Sequence, residues 1–176
     1  RWKNHPLVTP AIAPHSPYTC DEATLRASKA MADRLDVPLL IHLAETQNET
    51  KQSFEKTGKP PIPYLNSIGF LSNRVVAAHC VWADSLDIGL LKQSGVGVIH
   101  NPESNMKLAS GVAPVSEMLK SGVPVGLGTD GAASNNNLDL FQEMDTMAKL
   151  HKLNGGSATA FSARGALVAA PLGSAR

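Results

Sequence analysis

The sequence contains few cysteines, few aromatic residues and no excess of either charge. Its 176 residues include 2 cysteines, and only 5% are aromatic. Two cysteines cannot build the disulfide framework of a small secreted domain, and they suit a reducing cytoplasm. The formal net charge is +1 and no basic run occurs. The composition therefore gives no reason to expect a nucleic acid or an anionic membrane as partner.

Long hydrophobic runs and a visible signal peptide are also lacking. No apolar stretch approaches the roughly 18 residues that a membrane-spanning helix requires. The composition, 43% hydrophobic and 18% charged, is typical of a globular domain with a buried core. The chain opens without methionine and closes on APLGSAR, which reads as a helix and turn. We therefore expect residues 1–176 to be one domain truncated at both ends.

Five short apolar segments predict β-strands, with helical patterns between them. The segments are rich in Val, Ile, Leu and Ala and do not alternate with polar residues, which favours strands buried on both faces of a parallel sheet. Residues 50–72 predict a helix, a Pro-rich loop around residues 60–63 and a second short helix. The predicted strands cover residues 7–15, 37–45, 74–80, 96–101 and 123–130, and the other predicted helices cover residues 20–36, 83–95, 113–122 and 137–153.

Strands that alternate with helices predict a parallel α/β architecture with right-handed crossovers. An open doubly wound sheet would fit the length, but neither a GxGxxG nor a GxxxxGK[ST] phosphate loop occurs. A closed (β/α)₈ barrel takes about 250 residues, more than this chain has. We therefore favour five units of such a barrel, with its first part absent.

Each predicted strand ends on a polar residue that could carry chemistry. These residues are His15, His42, His79, His100 and Asp130. In parallel α/β folds the functional groups gather at the C-terminal ends of the strands, so these side chains could face one site.

His42 and Glu45, in the stretch HLAET, form the first candidate pair. Residues three apart in an extended strand point to opposite faces, so both can meet one ligand only if the chain turns just after His42. Imidazole is a good ligand for Zn²⁺ or Fe²⁺, and a nearby carboxylate can move protons. The alternative is a solvent-facing histidine and a helix-starting glutamate, which the short HxxE pattern alone favours.

His79, Asp130 and His15 are the other candidates. A lone histidine after an apolar strand, such as His79, is more often a hydrogen-bonded core residue than a ligand. Asp130, between glycines in GLGTDGAASNNN, could ligate a metal, accept a proton or close a turn. His15 lies between Pro14 and Pro17, whose rigid backbone could aim its side chain or simply form a turn.

The remaining polar residues carry weaker signals. His100 opens HNPESNMKLASG, which reads as a polar loop able to cover a pocket or bind a polar substrate edge. His5 and His151 have no supporting context, and we expect both on the surface. Cys80 follows His79, but no second feature supports an activated thiol, so we interpret it as a small buried residue.

Taken together, five short motifs resemble those of a known enzyme family. PHSPYTC, HLAETQNE, AAHC, HNPESNMKLASG and GLGTDGAASNNN, in this order and spacing, resemble the amidohydrolase superfamily. The likeness is strongest to the branch that contains 5′-methylthioadenosine/S-adenosylhomocysteine deaminases and triazine chlorohydrolases. It implies a (β/α)₈ barrel, of which residues 1–176 would be a partial domain with about strands four to eight. It also implies one catalytic divalent metal, zinc or alternatively iron.

The resemblance implies a role for each candidate residue. His42 matches the metal-binding histidine of the fifth strand, and Asp130 matches the eighth-strand aspartate that ligates the metal and takes a proton from water. Glu45 matches the glutamate that contacts the purine and shuttles protons. His79 matches the histidine that holds the hydrolytic water, and His15 matches a substrate-contacting histidine.

The implied reaction is hydrolytic deamination of an adenosine-type nucleoside to the inosine-type product and ammonia. Guanine, cytosine or triazine hydrolysis within the same branch, or an inactive α/β binding domain, are the alternatives. We expect a cytoplasmic protein with no nucleic-acid or membrane partner, and the parent protein could form a homo-oligomer. The family takes two further ligands from an HxH motif, which these residues lack. We therefore expect the chain alone to bind metal poorly.

Overall fold

A parallel sheet of four strands organises the computed structural model, which describes residues 5–170. The strands are β1 (Leu39–Leu43), β2 (Val75–His79), β3 (Gly97–His100) and β4 (Val125–Leu127). They neighbour one another in chain order, and each pair is parallel. Right-handed crossovers between strands in this order put all the connecting helices on one face. This is the arrangement of a barrel wall, whereas the strand order of a doubly wound sheet reverses at a switch point.

Helices connect the strands and follow the last one. In the described residues the helices are α1 (Glu22–Leu35), α2 (Gln47–Thr57), α3 (Pro61–Ser67), α4 (Ser85–Ser94), α5 (Pro102–Lys107), α6 (Val115–Ser121), α7 (Ala132–Asn135), α8 (Leu140–Asn154) and α9 (Ala163–Val168). The predicted helices over residues 20–36, 83–95, 113–122 and 137–153 are confirmed in α1, α4, α6 and α8. The short helices α5 and α7 lie in polar segments that the sequence pattern did not mark as helical.

The helix ends follow local chemistry. Asp21 caps α1 by accepting the backbone N–H of Thr24, and Gly95 ends α4 in the left-handed conformation, as predicted. The Pro-rich loop predicted around residues 60–63 is wrong, because it forms the first turn of α3, which starts at Pro61. A proline is tolerated there since the first N–H groups of a helix have no intrahelical acceptor.

The strand predicted over residues 7–15 is wrong. This segment lies alongside β1 but makes only one isolated bridge, between Ile12 and Leu39. The Ile12 N–H donates to the Pro38 carbonyl at 2.9 Å, and its carbonyl accepts from Leu40 at 2.8 Å. The next residue on that side, Pro14, has no N–H with which to continue the ladder.

The expectation that both faces of every strand are buried is also wrong for β1. Leu39, Ile41 and Leu43 are buried, whereas Leu40 and His42 point to the opposite face and remain partly exposed. The reason is topological: the helices cover one face of the sheet, and the described residues cover the other face incompletely. His42 is accessible because it lies on that second face.

The core lies between the sheet and the helices. Leu25, Leu65, Leu91 and Met118, from four different helices, are completely buried, and Phe70 is almost so. Burial of this kind holds the strand ends in place. In the part of the chain that the structure describes, no helix is both long and apolar enough to cross a membrane. The expected helix and turn over APLGSAR lie, apart from Ala170, outside the described residues.

Replacement of Gly128 by alanine should destabilise the protein. A Cβ there would lie 2.6 Å from Ile99 Cγ2 and 3.0 Å from Asn101 Nδ2. We expect Gly128→Ala to lower the free energy of unfolding by about 1–3 kcal/mol through overpacking, measured by urea denaturation. Gly89→Ala is the matched control, because a Cβ there meets no atom within 4 Å in helix α4. An equal effect at the two glycines would contradict the prediction.

Candidate active site

The chain turns just after His42, as the HLAET stretch requires if both polar residues are to meet one ligand. Ala44 has a φ of 49°, in the left-handed region that non-glycine residues rarely adopt. The turn brings Glu45 back toward the strand ends, and its Oε2 lies 3.9 Å from His79 Nε2. The turn therefore places Glu45 beside His79, at the C-terminal edge of the sheet where His42 also lies.

Glu49, to which the sequence analysis assigned no role, holds this turn. Its carboxylate is buried and accepts the backbone N–H groups of Ala44 at 3.1 Å and Glu45 at 2.7 Å. Burial raises the pKa of Glu49 above its usual value. A sequence signal was present, because Thr46 caps α2 and Glu49 follows three residues later, as in a capping box.

His42, His79 and Asp130 converge at the ends of β1, β2 and β4. One side-chain atom from each lies within 4.8 Å of the other two. His42 Nε2 is 4.0 Å from Asp130 Oδ1, and His79 Nε2 is 4.0 Å from Asp130 Oδ2. Two imidazole nitrogens and a carboxylate form a donor set that suits zinc or ferrous iron.

Both histidines are oriented by hydrogen bonds to their Nδ1 atoms. His42 Nδ1–H donates to the His15 carbonyl oxygen at 2.9 Å, and His79 Nδ1–H donates to Asn105 Oδ1 at 2.8 Å. Because both acceptors are oxygens without a hydrogen, each Nδ1 carries the proton and each Nε2 keeps its lone pair. His79 Nε2 is buried and has no hydrogen-bond partner within residues 5–170. An unsatisfied nitrogen aimed into the cluster fits a bound cation or water.

Asp130 is held as an anion. Its Oδ2 accepts hydrogen bonds from Ser104 Oγ at 2.7 Å and Ser134 Oγ at 2.8 Å. Burial alone would raise the pKa of Asp130, but these hydrogen bonds outweigh it and lower the pKa. The charged carboxylate is the form that ligates a metal or takes a proton.

The backbone is strained where the strands end at the site. His79 has a φ of 73°, Cys80 of 47° and Asp130 of 62°, each an unfavourable left-handed conformation for a residue with a side chain. The Cys80 thiol is buried, as expected, and burial raises its pKa. It is therefore not an activated nucleophile.

His15 lies beside this cluster. Its ring centroid is 4.7 Å from that of His42, and its Nδ1 is 3.0 Å from the hydroxyls of both Ser16 and Thr19. The carbonyl of His15 also accepts the backbone N–H of His42 at 2.9 Å. The segment before α1 thus reaches the site although it is not a strand.

His100 ends β3 but is not one of the three clustered residues. It is fully buried with its Nε2 3.3 Å from His151 Nε2, and burial lowers the pKa of His100 to about 3. The prediction that His151 is a surface residue is wrong. Glu143, Met147 and His151 recur every four residues along α8 and are all buried, which is typical of an inward helix face.

Glu143 is a second buried carboxylate that sequence reasoning missed. It accepts the backbone N–H of Glu103 at 3.1 Å and a hydrogen bond from Asn135 Nδ2. It therefore joins α8 to α5 and α7, the helices that follow β3 and β4. From the sequence, Glu143 could be placed only in the helix predicted over residues 137–153. Its hydrogen-bond partners, Glu103 and Asn135, could not be predicted from that position.

A sequence model of the amidohydrolase family matches residues 1–176. The chain belongs to the amidohydrolase family. Among curated relatives, it is 52% identical over 176 residues to the 5-methylthioadenosine/S-adenosylhomocysteine deaminase of Syntrophobacter fumaroxidans, covering 100% of this chain and 40% of that protein. It is 51% identical over 166 residues to the 5′-deoxyadenosine deaminase of Methanothermobacter thermautotrophicus, covering 94% and 39%.

Solved structures of the family have the same fold. A zinc-bound adenosine deaminase from Xanthomonas campestris superposes with a TM-score of 0.95 at 41% identity, covering 99% of this chain and 40% of that one. A zinc complex of atrazine chlorohydrolase from Arthrobacter aurescens gives 0.88 at 30% identity, covering 93% and 36%. The amidohydrolase chain therefore forms part of a (β/α)₈ barrel, as the sequence predicted. It spans about 40% of the length of the relatives it matches.

The contribution of Glu143 to the stability of this family member should fall as the pH rises toward neutrality, because burial raises the pKa of Glu143 from 4.5 to about 7. A carboxyl group with a raised pKa binds its proton more tightly in the folded chain. The stability that it contributes is present below pH 4.5 and is lost as the pH passes through about 7.

Relative to Glu143→Gln, the wild-type free energy of unfolding should therefore drop by about 2–3 kcal/mol across this range. Urea denaturation of the metal-free protein at several pH values measures the difference. Parallel pH profiles for the two proteins would contradict the prediction.

Proposed function

We propose that the intact gene product is a metal-dependent aminohydrolase that deaminates adenosine-type nucleosides. The observation that carries the proposal is the convergence of His42, His79 and Asp130, with the Glu45 carboxylate 3.9 Å from His79. Hydrolytic deamination requires an activated water and a proton carrier. The three converging side chains could hold a cation that activates the water, and the separate carboxylate of Glu45 could carry the proton. The names of the similar deaminases support the same reaction.

The chain's own residues divide the work as follows. His42 Nε2 and an Asp130 oxygen would hold a divalent cation, zinc or alternatively iron. Such a cation would supply Lewis acidity, which makes water a better nucleophile near neutral pH. Asp130 takes a proton from the attacking water. His79 faces both carboxylates, 4.0 Å from Asp130 and 3.9 Å from Glu45, and holds the water between them.

Glu45 is the proposed proton carrier to the purine ring. Its Oε2 faces His79, while its Oε1 accepts a hydrogen bond from Ser110. We assign to Glu45, in its protonated form, the transfer of a proton to a ring nitrogen of the purine, which makes the ring carbon electrophilic. The proton that Asp130 took from the water then goes to the departing amine, and the proton of the newly added hydroxyl group returns to Glu45. His15, beside His42, contacts the nucleoside. The products are the inosine-type nucleoside and ammonia.

The substrate class follows from the relatives. Proteins about 50% identical to this chain are named for 5-methylthioadenosine, S-adenosylhomocysteine and 5′-deoxyadenosine. These molecules share the adenine ring and ribose and differ at the 5′ position. We propose such nucleosides, or adenosine itself, as substrates. The structural likeness to a triazine hydrolase has the lower identity of 30%, and makes triazines the second candidate.

Further ligands are proposed to lie outside this chain. The family resemblance implies an HxH motif, and none occurs in the 176 residues. Zinc binding to the isolated chain should therefore be weak. A cytoplasmic location, a homo-oligomeric parent and the lack of nucleic-acid or membrane partners stay predictions.

Replacement of Glu45 should separate turnover from metal binding. In the intact gene product we expect Glu45→Gln to lower kcat for 5′-methylthioadenosine by about 10²–10⁴-fold, the usual contribution of a proton carrier, with zinc content unchanged. His42→Ala should reduce both the metal content and the activity. Ammonia release and elemental analysis measure the two quantities.

Glu55→Gln is the matched control, because Glu55 is an exposed glutamate on α2 and should have wild-type activity. A Glu45→Gln variant with full activity would contradict the role of Glu45. Ammonia release from triazines, guanine or cytosine but from none of the adenine nucleosides would overturn the proposed substrate class.

A further inference from the structure

One short segment, residues 102–111, forms hydrogen bonds with three side chains of the candidate site, those of Glu45, His79 and Asp130. It comprises α5 and the turn that follows, and its motif PESNMKLASG was read from sequence as a polar loop. Ser104 and Asn105 are completely buried, and Ser110 is almost so. Buried polar side chains are costly unless they are hydrogen-bonded. Each of these three forms a hydrogen bond with a different residue of the site, and Asn105 Nδ2 is the one buried polar side-chain atom among them without a partner in residues 5–170.

Ser104 and Asn105 act on neighbouring site residues. The Ser104 hydroxyl donates to Asp130 Oδ2 at 2.7 Å, which leaves Asp130 Oδ1 for the side of His42. Asn105 Oδ1 accepts from His79 Nδ1–H at 2.8 Å. That bond selects the tautomer in which His79 Nε2 has a free lone pair toward the site.

Ser110 forms a hydrogen bond with Glu45 from a closely packed turn. Its hydroxyl donates to Glu45 Oε1 at 3.2 Å, so that Oε2 is the oxygen left facing His79. The Ser110 carbonyl accepts the Trp82 indole N–H at 2.9 Å. The next residue, Gly111, has a φ of 122°, and a Cβ there would lie 2.9 Å from Val81 Cγ1. The turn that carries Ser110 therefore packs directly against Val81 and Trp82.

We propose that residues 102–111 are a positioning segment, which sets the atom that each reactive side chain presents to the substrate. This inference rests on the proposed function and deepens it. None of the three side chains is a catalytic residue in this scheme, because each acts through the group that it holds. The pairs are Ser104 with Asp130, Asn105 with His79 and Ser110 with Glu45.

The tautomer of His79 tests the segment without any substrate. In the metal-free intact protein labelled with ¹⁵N-histidine, at a pH where the imidazole is neutral, we expect the Nδ1–H form of His79. Its resonance is assigned by comparison with a His79→Gln variant. Asn105→Ala should lose the preference for this form. Asn105→Asp keeps an acceptor oxygen and should retain a hydrogen on Nδ1.

Kinetics provide the second readout. We expect Asn105→Ala to lower kcat by about 10–100-fold, the usual cost of removing a residue that orients a ligand or a base, with KM changed by less than about threefold. Ser110→Ala should lower kcat about tenfold, equivalent to one lost hydrogen bond. Ser110→Thr, which retains the hydroxyl, should recover part of the loss. Ser67→Ala, at an exposed serine on α3, is the control.

Several results would overturn the proposal. An Nε2–H tautomer of His79 in the wild type would mean that the Asn105 amide is reversed. A purely structural role predicts lower thermal stability of the variants with unchanged kcat per folded molecule and an unchanged tautomer. If the wild type deaminates none of the nucleosides, the proposed function fails, while the tautomer measurement still decides the positioning role of Asn105.

Discussion

Parallel hydrogen bonding between neighbouring strands is the constraint on which the rest of this structure depends. In the register of the sheet, Leu43 of β1 lies opposite His79 of β2, and His100 of β3 lies opposite Leu127 of β4. All four strands therefore end at one edge, although their last residues are far apart in the chain. Without this register, His42, His79 and Asp130 could not bring their possible ligand atoms within 4.8 Å of one another.

The residues at the strand ends give this shared edge the geometry of the candidate active site. Ala44, His79 and Asp130 all adopt left-handed backbone conformations, which turn side chains that would otherwise alternate between faces. Such conformations cost free energy, and buried hydrogen bonds offset that cost. Glu49 supplies two of these bonds at the Ala44 turn. Backbone strain, buried carboxylates and the candidate active site are thus concentrated at the same end of the sheet.

Much of the fold followed from local patterns. Apolar runs marked β1 to β4, and acidic caps and terminal glycines marked α1, α4 and α6, because these signals act within a few residues. The failures also have physical reasons. The segment before α1 does not extend its ladder with β1, because Pro14 has no N–H to donate. His151 is buried because its helix packs toward His100. Neither the missing strand nor the burial of His151 can be predicted without knowing which element packs against it.

By itself, the sequence determined the alternation of strands and helices, the side chains that end each strand and, through their joint pattern, the family. Local propensity and residue chemistry are properties of the chain, so they can be read from it. Only the tertiary structure decided which polar residues meet, that His100 pairs with His151, and that Ser104, Asn105 and Ser110 form hydrogen bonds with Asp130, His79 and Glu45. Those contacts join residues 26 to 65 positions apart, and a distance of that kind is set by packing and strand register.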